Sequence, residues 1–228
     1  MQQNAGAFEI AYRAMTYFLP FLFALCFHEF AHGWVARMRG DRTAEQQGRL
    51  TLNPMAHVDI LGTIVLPLLA IVTHLPFFGW AKPVPVNERN LKNPRVDMFW
   101  IAFAGPLSNL FLAFVGAIGL GAYARLNSAN LMGGSEGGME IVNVLKIFIE
   151  VNVFLAVFNM IPIYPLDGAK VLARFLPENV NRQIEALAGY SSIILLFLLW
   201  SGGLTLLSFP AVWVENLFLN LASGVMGA

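Results

Sequence analysis

Charged residues are scarce in this sequence. Only 12% of its 228 residues are Asp, Glu, Lys or Arg, whereas a soluble domain carries about 25%. Apolar residues make up 57% of the chain, and the mean hydropathy is +0.62. So few charged side chains cannot keep the surface of a soluble protein hydrated. The sequence therefore predicts an integral membrane protein.

Cysteine is nearly absent as well, and neither positive nor negative charge is in excess. Cys26 is the only cysteine, which excludes an intramolecular disulfide and any site built from several thiolates. Fourteen Lys and Arg balance fourteen Asp and Glu, and this balance argues against a nucleic-acid-binding protein. We therefore expect the lipid bilayer, and no nucleic acid, as a partner.

Charge-free runs indicate where the chain crosses the bilayer, because a spanning helix needs about 20 apolar residues. After a first helix predicted at about 8–38, these runs cover 98–124, 151–166 and 186–214. The last run contains Gly202, Gly203 and Pro210, which favour two spans over one.

Residues 58–96 do not form a simple span. Prolines interrupt the apolar part, and Pro83 and Pro85 suit an extended strand rather than a helix. Non-helical backbone at membrane depth persists only where protein or a water-filled cavity satisfies it. We therefore predict a re-entrant hairpin with a short β segment near 58–90. The predicted fold class is an all-α polytopic membrane protein with about five or six transmembrane helices.

Basic residues are distributed unevenly along this topology. Most of the 14 Lys and Arg follow the first helix, the hairpin or the third span: Arg37, Arg39, Arg42, Arg49, Lys82, Arg89, Lys92, Arg95, Lys170, Arg174 and Arg182. Only Arg13, Arg125 and Lys146 fall in the other compartment. By the positive-inside rule the basic side is cytoplasmic, and the N-terminus is expected outside.

The most informative segment lies inside the first predicted helix. His28 and His32 are four residues apart, so they project from one helix face one turn apart. That spacing lets two imidazoles bind one zinc ion, with Glu29 placed to activate zinc-bound water. A titratable side chain at membrane depth costs about 2.5–3.5 kcal/mol, and a bound metal ion offsets that cost.

The depth of this segment follows from the rise of the helix. His32 and Arg37 are separated by about 8 Å, so a metal ion there would lie nearer the cytoplasmic face. The alternative is that the two histidines are neutral and hydrogen-bonded across a helix bundle, with Glu29 paired to an arginine.

A catalytic zinc site needs a third protein ligand beside the two histidines. The candidates are His57, Asp59, His74, Glu150, Asp167, Glu178 and Glu185. Asp167 is best placed, because it follows a span that heads toward the cytoplasmic side. Pro162 and Pro165 break the helix there and can turn the chain back toward the first helix. Taken alone, Asp167 would be interpreted as a helix cap or a turn residue.

Three ordered motifs resemble the site-2 proteases, which are intramembrane zinc metalloproteases that cut single-span substrates. The motifs are HEFAH in an early span, GPLSN from Gly105 to Asn109, and NMIPIYPLDG in a later span. The segments NPMAHVD and GWAKPVPVN also look like those of compact prokaryotic members. The resemblance covers about 8–175 and implies a multi-pass protein of a prokaryotic cell membrane.

The resemblance implies a chemical role for each matching residue. His28, His32 and Asp167 would bind one zinc ion per chain, and Glu29 would be the catalytic base. The enzyme would hydrolyse peptide bonds of transmembrane substrates within or near the bilayer.

Two asparagines and one extended segment complete the implied site. Asn109 and Asn159 would be catalytic residues that hold the substrate backbone or the oxyanion. Residues 82–87 would lie beside an extended substrate.

No repeat or linker divides the chain, so we expect residues 1–228 to form a single membrane-embedded domain. The catalytic core would cover about 8–175 and the C-terminal helices about 184–226. The sequence leaves no room for the PDZ or nucleotide-sensing domains that many relatives carry.

Two other functions remain open at the level of sequence. One is a membrane zinc protease of another family, with Glu178 or Glu185 as its third ligand. The other is a metal transporter that uses the same polar residues as a transit site.

Overall fold

The computed structural model describes residues 11–73, 79–128, 131, 136–202 and 205–227. Nine helices are found in these residues: α1 (Ala11–Arg39), α2 (Thr43–Gln46), α3 (Ile60–Thr73), α4 (Pro94–Leu126), α5 (Glu136–Asn159), α6 (Asp167–Ala173), α7 (Glu178–Ala186), α8 (Ser191–Trp200) and α9 (Thr205–Gly227). Short 3₁₀ helices cover Pro54–Ala56, Glu88–Asn90 and Leu187–Tyr190. No β-strand is assigned among the described residues, which agrees with the all-α class.

The helix that carries the histidine pair, α1, ends at a glycine. Gly40 has a φ of +111°, a conformation that a side chain disfavours. Its N–H group points back to the carbonyl groups of Ala36 and Arg37. Arg37 and Arg39 lie in the last turn, where positive charge is favourable next to the helix dipole. Both histidines therefore lie on a helix with a defined end.

The central helix is α4, which packs against α1, α5, α6 and α9. Small residues allow these helices to approach closely. Ala113 and Ala117 are fully buried in a cluster with Ile149 of α5. A Cβ atom on Gly121 would overlap the carbonyl oxygen of Ala222 in α9. The α1–α4–α5 bundle therefore forms a close-packed scaffold on which α6 is placed.

Among the residues that the structure describes, three helices are long and apolar enough to cross a membrane: α1, α4 and the part Gly137–Asn159 of α5. They correspond to the first three predicted spans. The third begins earlier than its charge-free run, because Lys146 and Glu150 are accommodated within the helix. The chain thus has apolar helices of membrane-spanning length where its composition predicted the first three spans.

The last charge-free run forms the two helices α8 and α9. Gly202 lies between them with a φ of +74°, at the predicted break, and Gly203 lies outside the described residues. Pro210 was expected to break the helix but lies inside α9, so that expectation is wrong. A proline there removes the hydrogen bond to the Leu206 carbonyl and its ring crowds that carbonyl, but the packing of α9 on α4 and α5 holds the helix together.

The chain that follows residues 74–78 lies beside the start of α3. The Trp80 N–H group donates to the Gly62 carbonyl at 3.1 Å, and the Thr63 hydroxyl donates to the Trp80 carbonyl at 2.8 Å. A Cβ atom on Gly79 would overlap the Gly62 carbonyl oxygen. Glycine therefore permits the close approach of these two segments.

Residues 79–87 form neither helix nor strand. The short β segment predicted near 58–90 is therefore not found in the described part of that range. Pro83 and Pro85 supply no N–H group, so a regular ladder of hydrogen bonds cannot form along this segment. His74, one of the candidate ligands, lies outside the described residues.

Candidate metal centre

Three buried side chains from distant parts of the chain converge beside α4. The Nε2 atoms of His28 and His32 lie 3.0 Å and 3.2 Å from Oδ2 of Asp167. One possible ligand atom from each residue lies within 4.8 Å of the other two. The structure thus brings together the three residues that the sequence suggested as metal ligands.

Local backbone structure explains how these groups meet. The two imidazole rings lie on successive turns of α1, edge to face, with centroids 4.6 Å apart. Asp167 begins α6, and a Cβ atom on the next residue, Gly168, would overlap the Met160 carbonyl. In α4, a Cβ atom on Gly105 would lie 2.5 Å from Nε2 of both imidazoles. Glycine is therefore needed at both positions for the three side chains to approach.

The partners of the two imidazoles indicate which nitrogen carries the proton. Nδ1 of His28 lies 2.6 Å from Oδ1 of Asn109, and Nδ1 of His32 lies 2.6 Å from the Ile101 carbonyl. A carbonyl oxygen only accepts a hydrogen bond, so each Nδ1 donates, and in the neutral imidazole each Nε2 then presents a lone pair. Both lone pairs face the carboxylate of Asp167.

The orientation of the Asn109 amide is set by a chain of buried hydrogen bonds. Its Nδ2 donates to the Ala24 carbonyl at 3.2 Å and to Oδ1 of Asn152 at 3.0 Å. Nδ2 of Asn152 in turn donates to the Phe148 carbonyl at 2.8 Å. Both asparagines are 0% exposed. Because the two main-chain carbonyls only accept, Oδ1 of Asn109 is left to accept from His28.

These three converging groups fit a zinc ion. When both imidazoles are neutral, their two lone pairs and the carboxylate oxygen repel one another at such short distances unless a cation lies between them. Two histidines and one carboxylate are also a ligand set that catalytic zinc takes, with a fourth position kept for water. The chemistry of the donor set and the direction of the lone pairs therefore both agree with zinc.

Glu29 lies next to the three converging groups in the wall of a cavity of about 430 Å³. Its side chain is buried, and Oε2 accepts a hydrogen bond from the Val84 N–H group at 2.7 Å. Leu155 and Phe158 contribute to the cavity wall, which is otherwise mainly apolar. A carboxylate is thus held at a fixed position in a site large enough for a segment of polypeptide.

The two asparagines predicted to be catalytic lie in different surroundings. Asn159 lines the cavity, and its Nδ2 donates to the Leu155 carbonyl at 2.9 Å. Asn109 is fully buried and contacts His28 instead. Asn159 thus borders the cavity directly, whereas Asn109 lies behind His28. The predicted contact of each with substrate stays a prediction.

The downstream acids considered as third ligands are exposed. Glu178 pairs with Arg182, and Glu185 accepts a hydrogen bond from Asn181 at 2.9 Å, both within α7. Glu150 is exposed on α5. None of these three carboxylates belongs to the metal-binding group found among the described residues.

The other two candidate ligands have structural partners. His57 is 1% exposed, and its Nε2 lies 2.7 Å from the Thr51 carbonyl. Oδ1 of Asp59 accepts from the Gly62 N–H group at 2.8 Å. Asp59 therefore caps the start of α3.

Sequence reasoning missed Asn152 and the contact of Val84 with Glu29. Asn152 had a detectable signal, because a polar amide within an apolar membrane segment needs a partner. The Val84 contact uses a backbone N–H group, which every residue except proline carries, so its sequence offers no signal.

Comparisons with known proteins point the same way as this geometry. The model described as "Peptidase family M50" matches residues 127–199. A Bacillus subtilis protein named "Putative zinc metalloprotease YwhC" is 37% identical over 171 residues, which are 75% of this chain and 74% of that protein. The chain belongs to peptidase family M50. "Putative zinc metalloprotease Rip2" of Mycolicibacterium smegmatis is 28% identical over 208 residues, 91% of this chain and 75% of that protein.

No solved structure matches the chain. Family M50 is the site-2 protease family, so the resemblance inferred from the three motifs is confirmed, and the M50 chain is a metalloprotease. Its three apolar helices of membrane-spanning length agree with a membrane protein.

Proposed function

We propose that this M50 protein is an intramembrane zinc metalloprotease that hydrolyses peptide bonds of single-span transmembrane proteins. His28, His32 and Asp167 hold one zinc ion, and Glu29 is the catalytic base. The observation that carries the proposal is the convergence of two imidazole lone pairs and a carboxylate beside Glu29, in a cavity among apolar helices.

The proposed reaction divides the chemistry between the metal and the protein. When bound, zinc supplies a Lewis acid that polarises the scissile carbonyl and lowers the pKa of water. Glu29 takes a proton from the attacking water and delivers it to the leaving amine. The Val84 N–H group holds one carboxylate oxygen of Glu29, which leaves the other oxygen to carry the proton. Asn159, in the cavity wall, contacts the substrate backbone.

Substrate binding requires local unwinding, because the amide groups of a transmembrane helix are already hydrogen-bonded within the helix. The segment 79–87 borders the cavity, and an unwound substrate lies along it. The N–H groups of Lys82 and Val84 donate elsewhere, and Pro83 and Pro85 have none. Pairing here therefore uses the N–H groups of the substrate and the carbonyl groups of the segment other than those of Lys82 and Pro83, which accept from Arg49.

The proposed topology places the N-terminus outside and the metal centre nearer the cytoplasmic face. Arg37 and Arg39 at the end of α1 support this orientation, since basic residues are enriched on the cytoplasmic side. The close approach of Trp80 to Gly62 at the start of α3 supports a re-entrant hairpin. α9 has 23 residues and is long enough to cross as well. The ten residues of α8 are too few to cross alone, so the fourth span also takes in the 3₁₀ turn Leu187–Tyr190 and the chain around it. The protein then has five spans and the hairpin.

Zinc analysis of the detergent-purified protein tests the proposal. We expect about one zinc ion per wild-type chain and none in a His28→Ala/His32→Ala double variant. The wild type should cleave a single-span substrate reconstituted in the same liposomes. Absence of zinc after reloading, or zinc flux across proteoliposomes without cleavage, would contradict the proposal, and the second result would favour the transporter.

A further inference from the structure

The buried amide pair behind the metal centre has a function of its own. We infer that Asn152 is a positioning residue that, through Asn109, holds His28 with its Nε2 lone pair turned toward the metal. This inference rests on the proposed function, because it concerns the same metal centre. It assigns a task to a residue that lies outside every motif quoted above.

The hydrogen bonds of Asn109 and Asn152 run in one direction. The Phe148 carbonyl accepts from Nδ2 of Asn152, which leaves Oδ1 of Asn152 to accept from Asn109. The Ala24 carbonyl accepts the other N–H of the Asn109 amide. Two independent acceptors, one of them Asn152, therefore hold Nδ2 of Asn109 on the side away from His28.

A reversed Asn109 amide would place the imidazole proton of His28 on the wrong nitrogen. If Asn109 turned over, its oxygen would face the Ala24 carbonyl and Oδ1 of Asn152, and both contacts would be repulsive. Its Nδ2 would then donate to Nδ1 of His28, which would move the imidazole proton to Nε2. An Nε2 atom that carries a proton cannot bind a metal ion. Asn152 therefore supplies one of the two acceptors that hold Asn109 against this unproductive orientation.

General helix packing does not explain the position of this asparagine pair. Asn residues do hydrogen-bond between membrane helices and stabilise bundles. The pair here is completely buried and ends on a nitrogen of a predicted metal ligand, 2.6 Å from Oδ1 of Asn109. Partners of ligand imidazoles set both the tautomer and the orientation of the ring.

The test measures zinc affinity of the full-length, zinc-loaded protein by competition with a chelator. We expect Asn152→Leu, which keeps the γ-branched shape of asparagine and removes both hydrogen bonds, to bind zinc roughly 10-fold more weakly. Asn152→Asp keeps an oxygen toward Asn109. Its zinc affinity should stay within about 3-fold of the wild-type value, well short of that loss. Asn143→Leu, on the exposed part of the same helix, is the matched control and should leave the affinity unchanged.

A double variant separates positioning from a packing role. Asn109→Asp offers His28 a carboxylate oxygen in either rotamer, so orientation no longer depends on residue 152. In the Asn109→Asp background, Asn152→Leu should therefore cost no zinc affinity. If Asn152→Leu alone does not yield folded protein, Asn152→Ala replaces it in the same comparison.

The outcomes distinguish this inference from the proposed function. Wild-type zinc binding with no change on loss of the Asn152 side chain would overturn the inference and leave the protease proposal standing. An equal loss in both backgrounds would assign Asn152 to packing and overturn the inference as well. A wild-type chain that binds no zinc would contradict the proposed function itself.

Discussion

Two buried carboxylates in this protein have opposite surroundings. Asp41, after α1, is 0% exposed and accepts four hydrogen bonds, two from Thr43, one from Asn87 and one from Asn90. Asp167, in the described structure, has only the Nε2 atoms of two imidazoles as partners. A carboxylate supplied with donors is satisfied by the protein alone, whereas one that faces the nitrogens of two neutral imidazoles requires a cation. Burial by itself therefore does not identify a functional acid.

Replacing Asp167 should have the largest effect of any single change. We expect Asp167→Ala to weaken zinc binding by more than about 100-fold, beyond the range produced by losing a partner of a ligand, and to abolish cleavage. The measurement is zinc content after dialysis, with cleavage of a single-span substrate. Asp41→Asn is the matched control and should retain zinc. Zinc retained by Asp167→Ala would move the third ligand elsewhere.

The next change separates metal binding from proton transfer. Glu29→Gln should keep about one zinc ion per chain and lower kcat by about 10²–10⁴-fold, because the amide cannot take a proton. Cleavage and zinc content are measured on the same preparation. Near-normal cleavage by this variant would remove Glu29 from the role of base.

The Asp41 cluster should affect stability instead of chemistry. Asp41→Asn replaces one accepting oxygen by a donor that faces other donors, and should lower the free energy of unfolding by about 1–3 kcal/mol. Tm in detergent measures this loss, with zinc content as the control. A loss of zinc without a change in Tm would show that the two carboxylates are not separate in function.

The same cluster predicts a dependence of stability on pH. Burial would raise the pKa of Asp41, but hydrogen bonds from Thr43, Asn90 and Asn87 outweigh it and hold that pKa below its usual value of 3.8. A carboxyl group whose pKa is lower in the folded state stabilises the fold above its unfolded pKa, and the stabilisation is lost as pH falls through the folded value. The Tm difference between the wild type and Asp41→Asn should therefore shrink below about pH 4.

The smallest effect is expected for the exposed acids of α7. Glu178→Ala and Glu185→Ala should each change zinc affinity by less than about 2-fold, since exposed pairs contribute little. Chelator competition on each variant checks this expectation. A large loss of zinc in either one would revive a downstream glutamate as the third ligand.

The ligand pair and the helices that carry it could be predicted because their signals are local. The spacing of His28 and His32 places them on one helix face wherever the helix lies in the protein. The role of Asp167 was harder to predict, since only the prolines before it indicated a turn. The effect of Pro210 was predicted wrongly, because a run of apolar residues does not show the packing that keeps α9 helical.

Sequence alone determined the membrane class, the main helices and the candidate metal ligands, because hydropathy and helical spacing depend on neighbours along the chain. Tertiary structure alone decided that Val84 donates to Glu29, that Asn152 orients Asn109, and that Asp41 is satisfied while Asp167 is not. Each of these depends on which donors and acceptors packing brings together across distant segments. Hydrogen bonding acts over about 3 Å, so only the folded chain can assign the partners.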